Sequence, residues 1–426
     1  MAGAGGKRGG AGRGDVASGG AVLVYAAGLI QGLALVCFPA ASSILTSPTG
    51  YDLSASQYGL MFAPQVVLAI GSAALTPLWA GRWTLQRVLL AGLTANLVAM
   101  LLLVVSQFPA PSGAAYLLLL GATGALGFGF GSCVSALNTF AAALVPGRED
   151  RSVLTLNVLL GLGTALAPVL IAVLLPNWWL LPLGVSVALV AAIGATLRIR
   201  LSPGAVPGPA GARTRTRMPG RFWWYGAAVV LYGICETLFG NWSSLYLSGQ
   251  RGLSVSVASA ALAAFWACVT IGRVVVAVLP ARIPPTAVYL VLPVLIVGAS
   301  VAVSAATGPA AAVLAYAAAG LACSAMLPLS VSFAGREFPR LGATSSGELI
   351  AGYQVGYGVA AFGVAPLMAA TGLAMSGIYL AGAAVAVALA VVALVVVRGA
   401  ALRPATPPVH PAHHLDIPAS DSTERS

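Results

Sequence analysis

Glu236, Arg273 and Glu348 are the charged residues that fall inside long apolar stretches of this chain: Glu236 in "AVVLYGICETLFGNWSSLYL", Arg273 in "FWACVTIGR" and Glu348 in "GELIAGYQVGYG". A charge at mid-bilayer costs roughly 2.5 to 3.5 kcal/mol on insertion scales, so it faces a protein interior, finds a partner or titrates. A carboxylate held there takes up a proton when its surroundings dry and returns it when they wet, the chemistry that coupling to a proton gradient requires. Glu236 is therefore read as a proton-coupling or substrate-contacting group, the plainer alternative being a structural hydrogen bond in the second half of the chain. Arg273 lies about two helical turns from the arginine-rich end of its stretch and Glu348 just over one turn from that of its own. Their similar depths predict an ion pair or gate, with Glu149 and Asp150 as rival partners for Arg273.

Uncharged polar and aromatic residues near the middle of other stretches sketch a substrate cavity: Gln31, Asn138, Asn157, Asn241, Trp242, Trp266, Tyr353, Gln354 and Tyr357. Tyr353 and Tyr357 are four apart and project from one helical face. Amides, aromatics and one acid suit a small polar or amphipathic solute, although such residues also hydrogen-bond between helices. Nothing here predicts an enzyme or a cofactor. The histidines, His410, His413 and His414, all lie near the C-terminal end, so no nucleophile in the apolar stretches has a histidine base. Cys37, Cys133, Cys235, Cys268 and Cys323 sit singly in apolar runs as packing residues, and no metal site is expected. A phosphate-binding loop of the form G-x-x-x-x-G-K-[ST] is absent.

The elements that must position these groups follow from composition. Of 426 residues, 59% are hydrophobic and 7% charged, with a mean hydropathy of +0.95. Soluble domains carry roughly a quarter charged residues, so most of this chain has lipid as its solvent. The formal charge of +11 comes from bases lying between apolar runs, not from a patch with interleaved aromatics, and nucleic-acid binding is not expected. Apolar segments at 20–46, 56–80, 87–106, 114–144, 153–175, 178–197, 222–247, 256–280, 286–306, 309–334, 343–369 and 372–397 predict twelve spanning helices. The alternation of a barrel is missing, so the fold class is an all-α membrane protein.

Placing both ends in the cytoplasm puts nearly every base inside, from Lys7, Arg8 and Arg13 through Arg82, Arg87, Arg148, Arg198 and Arg282 to Arg398 and Arg425, with Arg251 outside. This asymmetry predicts a multi-pass protein of the plasma membrane with cytoplasmic termini. The Gly-rich leader 1–19 and the tail 399–426 are expected to be disordered. The Pro/Gly-rich basic linker 201–220 divides a six-helix bundle at 20–200 from another at 221–398.

The two halves resemble each other. "LSASQYGLMFAPQVVLAIG" begins at Leu53 and "LSVSVASAALAAFWACVTIG" at Leu253; each opens with LSxS, ends in IG and is followed at a similar distance by an arginine, Arg82 or Arg282. In "PLWAGRWTLQR" the residues Ala80, Arg82 and Arg87 match the loop motif of the major facilitator superfamily, with Gly81 at the motif's Asp position. In "GRVVVAVLPARI" the matching residues are Gly272, Arg273 and Arg282. The chain thus resembles that superfamily across its membrane portion, and through "YGICETLFGNWSSLYL" and "FWACVTIGR" its second half is similar to fucose-proton symporters and their relatives. The resemblance implies a major facilitator fold of twelve helices in two pseudo-symmetric halves. It also implies a monomeric secondary transporter that uses alternating access and a proton gradient to take up a sugar or related polar solute. The alternatives are proton-driven efflux of a drug or secondary metabolite and, in a different class, a non-transporting membrane sensor or scaffold.

Overall fold

A computed structural model describes residues 11–144, 149–201, 218–278, 282–338 and 343–401; among them there is helix and connection but no strand. Twelve spans are long and apolar enough to cross a bilayer. The first combines α1 (Ala11–Ala40) with the one-turn α2 (Ser42–Leu45), and the second combines α3 (Ala55–Leu60) with α4 (Ala63–Arg82). The third to sixth are α5 (Leu85–Ser106), α6 (Gly113–Leu144), α7 (Glu149–Leu174) and α8 (Leu180–Arg198). The seventh is α9 (Phe222–Ser244), extended by a π-helical turn at Leu245–Gln250, and the eighth and ninth are α10 (Val255–Val278) and α11 (Pro285–Ala305). The tenth is split into α12 (Pro309–Cys323) and α13 (Met326–Glu337), and α14 (Ala343–Thr371) and α15 (Met375–Ala401) complete the set. Helix is imposed by the solvent, because lipid offers no partner for backbone N–H and C=O groups.

The repeated LSxS signal is a helix cap in both halves. Ser54 Oγ accepts from the Gln57 amide while Gln57 Oε1 accepts from the Ser54 amide, a complete capping box. Ser254 Oγ accepts from the Val257 amide at 3.3 Å and starts the eighth span in the same way.

Packing repeats as well. In the first half the first span packs on the fifth, the second on the fourth and the third on the sixth; in the second half the seventh packs on the eleventh, the eighth on the tenth and the ninth on the twelfth. The halves meet where the second span crosses the eleventh and the fifth crosses the eighth, a swap-related pair of contacts. Small residues set the two equivalent crossings nearest the centre. A Cβ on Gly163 would lie 2.2 Å from the Leu29 carbonyl oxygen, and one on Gly356 would lie 2.0 Å from that of Val230, so the backbones touch there.

Two expectations change. Residues 11–19, assigned to the leader, are helical and continue α1: no proline interrupts them, and a helix nucleated in the apolar span propagates at little further cost. The tenth span is not continuous, for a reason given below. Residues 1–10, most of the linker (202–217) and most of the tail (402–426) lie outside the described residues. On the side of the linker, Arg221 joins three elements: it pairs with Glu337 at the end of α13, and its Nη2 donates to the Val396 carbonyl at 2.7 Å. That side is called the linker side below, and the opposite one the far side.

Candidate transport site

The seventh span buries one face almost completely, and Glu236 sits on it, 3% exposed. One helical turn before it, Tyr232 places its hydroxyl 2.7 Å from Oε1, and Tyr353 of the eleventh span donates to Oε2 at 2.5 Å. The close crossing at Gly233 and Gly356 is what brings the two phenols together, their ring centroids 5.9 Å apart. Tyr232 also lies 2.7 Å from the Cys323 carbonyl oxygen on the tenth span.

That carbonyl is available because the tenth span breaks at Ser324 and Ala325, between α12 and α13. Pro328 has no N–H to give the Ser324 carbonyl four residues earlier, so the helical ladder fails at this point. Arg273 of the eighth span supplies the missing donor, its Nε reaching the Ser324 carbonyl at 3.1 Å. Among the described residues Arg273 is not in contact with Glu348, its expected partner. Glu348 is exposed near the start of the eleventh span, whereas Arg273 turns inward to the broken helix. The side chains of Glu149 and Asp150 lie outside the described residues.

Farther from the linker, Asn241 Nδ2 donates to the Tyr357 hydroxyl at 3.0 Å, and Gln65 Nε2 of the second span reaches the same oxygen at 3.4 Å. Tyr58 donates to the Asn241 carbonyl at 2.8 Å, and its ring meets Trp242 edge-on at 5.4 Å. Trp242 is fully buried and donates to the Ala360 carbonyl at 3.0 Å. Tyr58–Asn241 and Gln65–Tyr357 are the hydrogen bonds that cross between the halves among the described residues. They run from mid-height to the far side, so the far side is closed. A separate cavity of ≈ 440 Å³ lies at the far-side ends, lined in part by Ser43, Thr49, Tyr51, Gln107 and Trp178, remote from Glu236. Burial raises the Tyr51 phenol above its usual range, its bond with Ser106 acting the other way.

The remaining sequence candidates divide. Asn138 and Asn157 meet across the fourth and fifth spans at 3.4 Å, nearer the linker-side ends than the middle. Trp266 is partly buried with no partner for its Nε1, and Gln354, 6% exposed, makes no hydrogen bond among the described residues. Gln31 is not at the centre: it is 2% exposed, and its Oε1 accepts at 2.7 Å from Asn96 Nδ2 on the third span, inside the first bundle. Arg82, Arg87 and Arg282 are exposed at linker-side ends. Sequence reasoning missed Tyr232, Tyr58, Gln65, Asn96 and the broken tenth span. The signals were present: Tyr232 is four residues before Glu236, on the same helical face, and Pro328 interrupts an apolar run.

The profile of the Major Facilitator Superfamily matches residues 21–361. The chain belongs to this superfamily. No curated protein matches it by sequence. Among solved structures, a nucleoside transporter, NupG, is 13% identical with a TM-score of 0.71, covering 89% of this chain and 99% of its own. The E. coli fucose:proton symporter FucP is 15% identical with a TM-score of 0.60, covering 89% and 98%. FucP in its outward conformation, 14% identical, has a TM-score of 0.58 and covers 88% and 98%. This major facilitator protein is therefore a multi-pass membrane transporter with twelve candidate membrane spans in two six-helix halves.

Proposed function

We propose that this transporter couples movement of a small polar solute, of the sugar or nucleoside kind, to protons taken up and released at Glu236. The observation that carries the reading is an acid 3% exposed in the middle of a span, held by two phenols and, among the described residues, by no basic side chain in hydrogen-bond range. The solute class draws support from the fold shared with a nucleoside transporter and a fucose:proton symporter. Trp266, Gln354 and the unpartnered Gln65 Oε1 supply a ring and polar atoms that a hydroxyl-rich solute would satisfy. Asn138 and Asn157 would receive it on the linker side. Arginine placement supports reading that side as the cytoplasmic one, with both termini there.

The test is uptake of radiolabelled hexoses and nucleosides into proteoliposomes. An inward proton gradient should concentrate one of them, and Glu236→Gln should abolish concentration while leaving exchange measurable. Uphill transport by Glu236→Gln with an unchanged pH profile would remove Glu236 from coupling. Proton-driven loss of preloaded solute would instead favour export.

A further inference from the structure

We propose that Tyr232 is a positioning residue that ties the protonation of Glu236 to the break in the tenth span; the inference rests on the reading of Glu236 as the proton site. The argument is a count of donors. Tyr232 has one hydroxyl proton, and it lies 2.7 Å from Glu236 Oε1 and 2.7 Å from the Cys323 carbonyl. When Glu236 is a carboxylate both neighbours are acceptors, so one of them goes unserved. When Glu236 is protonated, its O–H donates to the Tyr232 oxygen, the Tyr232 O–H donates to Cys323, and Tyr353 donates to Oε2. Every group is then satisfied.

Protonation therefore decides whether Tyr232 holds the break from which α13 starts. A carboxylate draws the phenolic proton toward itself and releases the Cys323 carbonyl, leaving the break held by Arg273 on the Ser324 carbonyl. The proton comes from water when the cavity is wet and returns to it. The other titratable groups around the site are Arg273 from the eighth span, Cys323 from the tenth and Tyr353 from the eleventh. On the seventh span itself Cys235 points to the Gly382 carbonyl of the twelfth, and Tyr379 of the twelfth bonds to the Leu238 carbonyl instead of to Glu236. The first span and the π-helical turn place no hydrogen-bonding group on Glu236 among the described residues, and Glu337 of α13 lies at its far end, on Arg221 and Tyr225. Symmetry sharpens the point. The fourth span, the counterpart of the tenth, runs unbroken from Gly113 to Leu144, so the break belongs to the half that carries the acid.

The experiment needs no solute. Amide hydrogen exchange of the peptide covering α13 is followed on the full chain in nanodiscs from about pH 4 to about pH 9, after correction for intrinsic rates. The carboxylic acid band of Glu236, assigned by its loss in Glu236→Gln, is followed in parallel by infrared difference spectroscopy. Wild-type α13 should exchange about fivefold faster once the acid band is lost, the size of one net hydrogen bond. Glu236→Gln, whose amide can donate to Tyr232, should stay protected at every pH. Tyr232→Phe should be unprotected at every pH although its acid band still titrates, and Tyr353→Phe should keep the step. An acid band that titrates without any change in α13 overturns the role of Tyr232 and leaves the proton site standing. A band that never titrates overturns the proton site itself. Should Tyr232→Phe fail to fold, Glu236→Gln and Tyr353→Phe carry the test: a pH step in the first, or loss of the step in the second, refutes the relay.

Discussion

Tyr58→Phe removes one oxygen from the seal between the two halves and nothing else. The Tyr58 ring is fully buried, packs on Phe62 and Trp242 with centroids 5.4 Å away in each case, and keeps those contacts as phenylalanine. What is lost is the 2.8 Å bond to the Asn241 carbonyl, which couples the second span to the seventh. In the far-side-closed state that carbonyl has no water to turn to, whereas in the separated state both it and the tyrosine hydroxyl would be hydrated. The penalty thus falls on the closed state alone. A buried hydrogen bond of this kind is worth about 0.5 to 1.5 kcal/mol net, and more when an acceptor is stranded, so the separated population should rise about two- to twelvefold or more. The assay is the rate at which a membrane-impermeant maleimide labels Ala361→Cys, a fully buried position that packs over Gly59 in the seal. Labelling should accelerate by that factor in the Tyr58→Phe background. An unchanged rate would mean that Trp242 and the Gln65–Tyr357 contact hold the far side without Tyr58, and the reasoning would fail.

Three further outcomes are expected. Exchanging the charges of Arg273 and Glu348 should not restore what Arg273→Glu impairs, because Arg273 bonds to a carbonyl of the broken helix and Glu348 is exposed; recovery in the double variant, measured by proton-driven uptake, would reinstate the pair. Gly356→Ala should cost about 1 to 3 kcal/mol or more by overpacking, since its Cβ would lie 2.0 Å from a carbonyl, while Gly363→Ala on the same helix meets nothing within 4 Å and should be neutral; thermal unfolding in detergent compares them, and equal melting points would contradict the crossing. Gln31→Leu should destabilise by about 1 to 3 kcal/mol through the stranded Asn96 amide, and Gln31→Leu with Asn96→Leu should recover much of it; a double variant no more stable than the single would return Gln31 to the cavity.

The spans were legible because lipid enforces a long apolar run for each helix, and the duplicated caps at Ser54 and Ser254 were legible because a cap needs a particular residue at a particular place. The acid was legible for the same reason: Glu236 is conspicuous where charge is expensive. Partners were not legible, since they come from other elements. Gln31 and Asn241 look alike in sequence, each an amide in an apolar helix, yet one faces the third span and the other the eleventh. Helical phase relative to a neighbour decides this, and mean hydropathy contains no phase. Arg273 and Glu348 were matched by depth along their helices, which says nothing about direction around them. The broken tenth span lay between these cases: Pro328 marks it, but membrane helices tolerate proline often enough that the mark becomes a break only when Arg273 and Tyr232 take up the freed carbonyls.

The proposed proton site and the far-side seal share two helices, the seventh and eleventh spans. Tyr353, on Glu236, and Tyr357, between Asn241 and Gln65, are one turn apart on the eleventh span, while Glu236 and Asn241 lie five residues apart on the seventh, about 7.5 Å along the axis. The backbones are in contact at Gly233 and Gly356, so neither helix can shift against the other there without a clash. A displacement of the eleventh span that accompanies a change at Tyr353 must therefore be felt at Tyr357, where the second span is bonded. One acid in the second half can in this way act on a contact between the halves. It follows that Tyr357→Phe, which cuts the Asn241 and Gln65 bonds but leaves Tyr353 and Glu236 in place, should preserve titration of the Glu236 acid band while making maleimide labelling of Ala361→Cys, corrected for the thiolate fraction at each pH, independent of pH. Labelling that still follows the acid band in Tyr357→Phe would show that the two sites communicate by another route.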